Sequence, residues 1–422
     1  MTKLQYINTQ RLALLCSALL WACACSAQTL GLVTFKSETY PFIHPERNEI
    51  VNADALNSFF DKLYVLKTQQ NDKLNILQIG DSHIQADFIS GQARSNFQRE
   101  FGNGGRGLIV PLRVARTNEP FNYKTSSNTT WRSKRCVFVN DSLPIGVGGV
   151  TITTAADTAF INVTTFNYPP INYSSTKVTL FYEKDPTAYD YRILDTAGNT
   201  IGMLSTATMS SYADISATRL ASPANTFKLM VERTNEVQNN ATIYGINLEN
   251  DSNGIIYHSV GVNVAEAFQY ARAVHFAEQT PALSPQLIII SLGTNEAQRR
   301  PIDKEQNKLR LDSLVKQLQF YKHATPILLT TPPDSYISRK YYNMGVATMH
   351  ESIVEYAKDN NLAVWDLFSL AGGYKSCYQW KKYGLLRSDG VHFNRKGYEL
   401  QGNLMYEALI KAYNEYVSAG FR

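Results

Sequence analysis

The sequence predicts an α/β fold: a parallel sheet with helices on both faces, interrupted by an all-β sandwich. Three observations carry this. Short apolar runs that end in glycine or turn residues alternate with stretches of helical period, the βαβ pattern of a parallel sheet. Between residues 115 and 253 the texture changes to alternating stretches: TAFINVTTF, KVTLFYE, TFKLMVER and TIYGINLE. Asn, Ser, Thr, Gly and Pro turns separate them and no helical period survives, which reads as a sandwich. After residue 253 the first texture returns, so one α/β domain is read as split by an insertion.

The elements follow in order. Lys3 and Arg11 precede the apolar residues 12–24 and the small-residue stretch CACSAQ. This is the order of a secretory signal peptide, with cleavage expected after Ala27. The apolar stretch is short for a transmembrane helix. Residues 28–73 form an N-terminal lead-in with a helix at about 55–66. Residues 74–80 are the first strand and 87–101 a helix, closing the first part of the α/β domain at about 114. The second part, 254–422, offers strands at 255–260, 287–293, 326–333 and 362–367. Helices are expected at 264–278, 309–321, 342–358 and 394–416. Leu311, Leu314, Val315 and Leu318 show the helical spacing clearly. No internal repeat is present.

Composition bounds the function classes. Hydrophobic residues make up 44% of 422 residues, enough for real cores. Forty-one basic against 36 acidic residues give +5, falling to +3 once residues 1–27 are removed. That excess is mild and no Lys/Arg cluster sits on a nucleic-acid motif, so no nucleic-acid partner is expected. No segment after the signal region is long and apolar enough to span a bilayer. Of five cysteines, Cys16, Cys23 and Cys25 lie in the signal region. Trp21 or Cys23 would occupy a position that lipoprotein signals give to a small residue, which argues against a lipid anchor. Cys136 and Cys377 remain and are free to pair in an oxidising compartment. No metal-ligand spacing surrounds them, and no cofactor is expected.

Chemistry concentrates at strand ends. In ILQIGDSHIQAD, residues 76–87, an apolar run breaks into Gly80-Asp81-Ser82-His83. A parallel sheet places ligands at the carboxyl ends of its strands. Ser82 is either a nucleophile or only a helix cap. A serine hydroxyl needs a base, a group that orients the base and donors for the oxyanion. His392 stands in LRSDGVHFNRKGY with Asp389 three residues before it. A turn at Gly390 folds the carboxylate back, so Asp389 would hold Nδ1–H and leave Nε2 facing Ser82. Asn295, in ISLGTNEA, lies just past the strand that ends at Gly293. Its amide is a candidate oxyanion donor, with the Ser82 N–H and the loop SVGVNVA. Each motif alone is ordinary turn or cap chemistry. Their shared position past strands of one sheet, in the order Ser, Asn, Asp, His, makes the catalytic reading the better one.

GDSH at 80–83, GTNE at 293–296 and SDGVH at 388–392 together resemble the SGNH (GDSL-type) hydrolase family. The resemblance covers roughly 74–114 and 254–418. It implies a flavodoxin-like three-layer α/β/α fold, with Ser82, Asp389 and His392 as the triad and Asn295 in the oxyanion hole. The family's second block reads like G-x-N-G-A, whereas this chain has Gly261-Val262-Asn263-Val264-Ala265. Val264 thus occupies the glycine's place, and Gly261 is the other candidate. More narrowly, residues 80–111 are similar to the opening of bacterial peptidoglycan O-acetylesterases of this class. In those, a carbohydrate-binding-module-like (jelly-roll-like) sandwich is inserted between the first and second blocks, which is where 115–253 falls.

The resulting expectation is an exported esterase, periplasmic or extracellular, that removes O-acetyl groups from a glycan, peptidoglycan first. Deacetylation of xylan or pectin, a non-catalytic glycan-binding role and acetyl transfer are the rival readings.

Overall fold

The computed structural model describes residues 31–138, 142–207, 212, 214–299 and 301–420. The predicted signal segment and its cysteines lie outside the described residues. Five parallel strands build the central sheet: Lys73–Gly80, Gly254–Gly261, Pro285–Ser291, Ile327–Thr330 and Ala363–Trp365. In chain order their spatial order is 2-1-3-4-5, that of the flavodoxin type. Ile50–Val51 adds an antiparallel edge beside Ala363–Trp365.

Two faces of this sheet bury alternate residues of the same strands. Leu74, Ile76, Ile255, Leu287 and Ile289 face one core, covered by the helices Asn57–Gln69, Ile89–Phe101 and Arg395–Ser418. Ile89, Ala93, Phe97 and Phe101 form the buried i, i+4 stripe of the second of these. Gly402 is required where it meets the third helix: a Cβ there would lie 2.6 Å from the Ile89 carbonyl oxygen. Leu77, Ile79, Ile288, Ile290 and Leu329 face the other core, against the helices Lys304–Tyr321 and Met344–Asp359. The layers are therefore helix, sheet, helix.

The β region forms two antiparallel sheets of five and six strands. Gly107–Ile109, upstream of residue 115, already pairs with Ala241–Glu249 in the six-stranded sheet. The sandwich core is continuous with the second α/β core: Ile246 and Tyr244 belong to the same buried cluster as Ile79 and Ile290.

One expectation is corrected and one open question is closed. The single helix over 264–278 is two short ones, Ala267–Ala271 and Phe276–Gln279. Between them the His275 N–H donates to the Ile145 carbonyl of the sandwich at 3.0 Å, so a tertiary contact overrides the local period. Cys136 and Cys377 do not pair; both are free and buried. They sit in the two separate cores, on different sides of the sheet. Among the described residues no helix is long and apolar enough to cross a membrane.

Candidate active site

The sheet order reverses between Lys73–Gly80 and Pro285–Ser291, and ligands of open α/β sheets bind in the crevice at that switch. Ser82 follows the first of these strands and Asn295 the second. Asp81 caps the short helix Ser82–Gln85, accepting from the His83 N–H at 2.9 Å. A Cβ on Gly80 would strike Ile84 at 2.3 Å, so only glycine lets the helix turn this tightly off the strand.

The third component arrives from the far end of the chain. The Arg387 N–H donates to the His392 carbonyl at 2.8 Å, closing a tight loop with Gly390 at φ +75°. Inside it, Asp389 Oδ1 accepts from the Val391 and His392 N–H groups at 2.9 and 2.8 Å. Its other oxygen, Oδ2, lies 3.2 Å from His392 Nδ1. His392 Nε2 lies 2.9 Å from Ser82 Oγ. The predicted Ser–His–Asp residues are thus brought into one hydrogen-bonded row, in the predicted orientation. Burial alone would raise the Asp389 carboxyl, but the two backbone donors and the imidazole hold it below the ordinary carboxylate range.

Ser82, Val264, Asn295 and His392 line one open cleft of about 630 Å³. The Asn295 amide donates to the Ala265 carbonyl at 3.0 Å, which fixes its direction and leaves its second hydrogen toward Asp81, 3.4 Å away. Val264 sits at φ +70°, a left-handed conformation rare for a β-branched residue. Among the described residues neither its N–H nor that of Ser82 is used in a hydrogen bond. Gly261 has a different part. It ends the strand Gly254–Gly261, and a Cβ there would lie 2.1 Å from the Gln85 backbone nitrogen. Its smallness lets the serine helix pack closely.

Sequence reasoning passed over several supports. His83, directly after Ser82, stacks on His392 with ring centroids 5.3 Å apart. Its Nδ1 meets the Tyr398 hydroxyl at 3.1 Å. Burial, with His392 adding to it, pushes the His83 imidazole down to about 3, so it is neutral. Burial likewise drives the Asp81 carboxyl up to about 7 and that of Glu296 up to about 8. Gln85 ties the second-block loop in place: its Oε1 accepts from the Asn263 N–H at 2.6 Å and its Nε2 donates to the Asn118 carbonyl at 2.8 Å. Polar spacing alone does not mark such ties. Among the described residues no three His, Cys, Asp or Glu side chains are grouped to hold a metal ion.

Comparison with known proteins adds a family match over part of the chain and a shared fold over most of it. Residues 218–400 match the GDSL-like Lipase/Acylhydrolase family. The match opens within the sandwich and does not reach Ser82, as expected where an insertion separates the first motif from the rest. A solved peptidoglycan O-acetylesterase is similar over 88% of this chain and 99% of its own, with 22% identity and a TM-score of 0.71. That overlap is too long to exclude the sandwich, so the two-part architecture is shared. An acetyl esterase solved with acetate ion matches 38% of this chain and 72% of its own (16% identity, TM-score 0.30). A GDSL-like lipase from Bacteroides thetaiotaomicron matches 37% and 76% (19% identity, TM-score 0.28). No curated protein matches. Residues 218–400 thus carry the GDSL-like acylhydrolase match, and the chain as a whole shares the fold of the solved peptidoglycan O-acetylesterase.

Proposed function

We propose that the protein is an exported serine esterase that removes O-acetyl groups from a cell-envelope glycan, with peptidoglycan as the first candidate. The observation that carries this reading is the row Asp389–His392–Ser82, with 3.2 and 2.9 Å between successive partners, opening onto the cleft. His392 Nε2 takes the Ser82 proton as Oγ attacks the acetyl carbonyl. Asp389 steadies the imidazolium that forms. The oxyanion is met by the N–H groups of Ser82 and Val264, and the Asn295 amide joins them by turning the hydrogen that faces Asp81 at 3.4 Å onto the oxyanion. The sugar hydroxyl leaves with the proton from His392. Water then attacks the acetyl-enzyme, again deprotonated by His392, and acetate departs as Ser82 recovers its proton. The inserted sandwich supplies glycan contacts remote from the reacting carbonyl.

Likeness in architecture to a peptidoglycan O-acetylesterase supports the choice of glycan. Acetate release from acetylated peptidoglycan, xylan and pectin, each with wild type and Ser82→Ala, tests it. Peptidoglycan should be deacetylated with the highest kcat/KM. Preference for xylan or pectin moves the substrate to plant-type polysaccharide. Acetylated sugar product in excess of free acetate identifies a transferase.

A further inference from the structure

Beside the cleft lies a face that catalysis does not use. Arg339, Lys340, Lys375, Lys381, Lys382 and Arg387 are all exposed. Among the described residues none of these six has a carboxylate partner within salt-bridge distance. Elsewhere the chain treats its lysines differently: Lys304 and Lys308 share Glu355 at 2.6 and 2.7 Å. On this face the neighbouring carboxylates are already committed. Asp389 is held by the Val391 and His392 N–H groups and by the His392 ring, and the buried Asp334 accepts from the Cys377 N–H. The positive charge is therefore uncompensated.

Tyrosine rings are set among these cations. Tyr336 stacks on Tyr342 at 5.4 Å, and Tyr342 meets Tyr374 edge-on at 6.2 Å. Lys375 lies over both Tyr342 and Tyr374, at 5.6 and 5.4 Å, and Lys381 lies over Tyr336 at 5.7 Å. Tyr341, Tyr374 and Tyr378 are 60, 40 and 52% exposed. Rings that carry a hydroxyl stack on the C–H faces of sugars while staying wet. Apart from Met344 the exposed apolar groups here are tyrosines, without the Leu, Ile or Phe that would enter a lipid interface.

The face is continuous with the cleft. The Tyr336 N–H donates to the Gly390 carbonyl at 2.8 Å, inside the loop that holds Asp389 and His392. A Cβ on Gly390 would touch the Tyr336 side chain at 2.9 Å. Arg387 belongs to both, lining the cleft beside His392.

We propose that this face is the docking track for a carboxylate-bearing glycan strand, whose acetylated sugar then enters the Ser82 cleft. The proposal deepens the esterase reading above and rests on it for the identity of the cleft. It narrows the substrate class: the polymer is anionic. Tyrosines carry the sugar rings, and the lysines and Arg387 meet the carboxylates.

The test uses a Lys375→Gln/Lys381→Gln/Lys382→Gln triple variant of the whole chain. On p-nitrophenyl acetate it should match wild type within twofold, which also certifies folding. On acetylated peptidoglycan its KM should rise by about tenfold with kcat little changed, because rim charges act on encounter. Wild-type KM should climb with added salt and the variant's should not. Soluble cellulose acetate, which has no carboxylates, should show no difference. Equal KM values on peptidoglycan, or an equal rise on cellulose acetate, overturns the proposal. Sedimentation of Ser82→Ala and of the triple variant carrying Ser82→Ala with deacetylated peptidoglycan measures docking without turnover, so it separates this proposal from the esterase reading. Loss of sedimentation in the triple variant is the expected result. Retention there, with loss only on phosphatidylglycerol vesicles, assigns the face to a membrane and overturns the proposal.

Discussion

Replacing Val264 by glycine should make the protein more stable, although glycine normally destabilises. Val264 holds φ +70°. A β-branched residue in that region carries strain of about 1–3 kcal/mol. Glycine adopts it freely and costs roughly 0.5–1 kcal/mol through its looser unfolded chain. The valine side chain is 60% exposed, so little apolar burial is forfeited. The balance favours Val264→Gly by about 1 kcal/mol. Unfolding entropy scales at roughly 2.1 cal/mol/K per residue, so for a chain of 422 residues the gain corresponds to a Tm about 1 °C higher. Scanning calorimetry resolves this. The kinetic consequence is larger. The backbone N–H survives the change, so acetate hydrolysis should hold. The cleft wall recedes, however, and the kcat/KM ratio of p-nitrophenyl butyrate to acetate should rise by about tenfold, a pocket change worth one or two methylenes. A Tm lower by about 2 °C or more would show that the conformation is not strained. An unchanged acyl preference would show that Val264 does not bound the acyl site.

Three further outcomes are expected. Ser82→Ala should lower kcat on an aryl acetate by about 10³-fold or more at unchanged Tm, since triad members act as a unit; a variant within tenfold of wild type removes Ser82 from the mechanism. Asp81 is buried with its carboxyl raised to about 7, so its contribution to stability is full below its ordinary range near 4 and is lost as pH rises through about 7. Asp81→Asn, which escapes that loss, should gain on wild type by on the order of a few kcal/mol between pH 4 and 8 in urea unfolding, and a pH-independent difference would refute the assignment. His258 is buried and pushed down to about 3, so its contribution is lost as pH falls from its ordinary range near 6.5 toward 3, and His258→Gln should flatten the acid limb of the stability profile; an equally steep limb would clear His258 of that role.

The sheet strands were legible because burial on both faces demands continuous apolar runs, and LQIG, LIIISLG and PILLTT supply them. Their order was not legible from periodicity; it came with the resemblance to SGNH hydrolases. The Asp389–His392 loop was readable because its geometry is local: one turn at Gly390 sets both hydrogen bonds. Its meeting with Ser82, 310 residues away, depended on recognising the motifs in combination. What stayed hidden is tertiary. Nothing in the local sequence says that His83 will stack under His392, or that Ile145 will break a helix at His275. Ile50–Val51 escaped notice because two residues show no period, and they become a strand only where Ala363–Trp365 offers a free edge.

Texture alone separates the sandwich from the hydrolase; packing joins them. Asp87, one turn past Ser82, is fully buried and takes Arg94 at 2.9 Å, Arg106 at 2.9 Å and the Asn122 amide at 2.6 Å. Asn122 belongs to the inserted segment, and removing it leaves two buried guanidinium groups with one carboxylate and one fewer acceptor. His258 bridges the same boundary, taking the Leu108 N–H on Nδ1 at 3.0 Å and donating from Nε2 to Asn75 Oδ1 at 3.1 Å. The loop around Gly146 and Gly149 lies against Tyr244, Val262 and Tyr270, so the insert braces the back of the loop that carries Val264. Asn118 reaches the cleft itself. A chain in which 115–253 is replaced by a short Gly/Ser linker should therefore lose activity on aryl acetate and on polymer alike, because the backbone N–H of Val264 is no longer held in position. A linker variant that folds and keeps its aryl-acetate activity would show that the oxyanion loop is braced by the α/β layers alone.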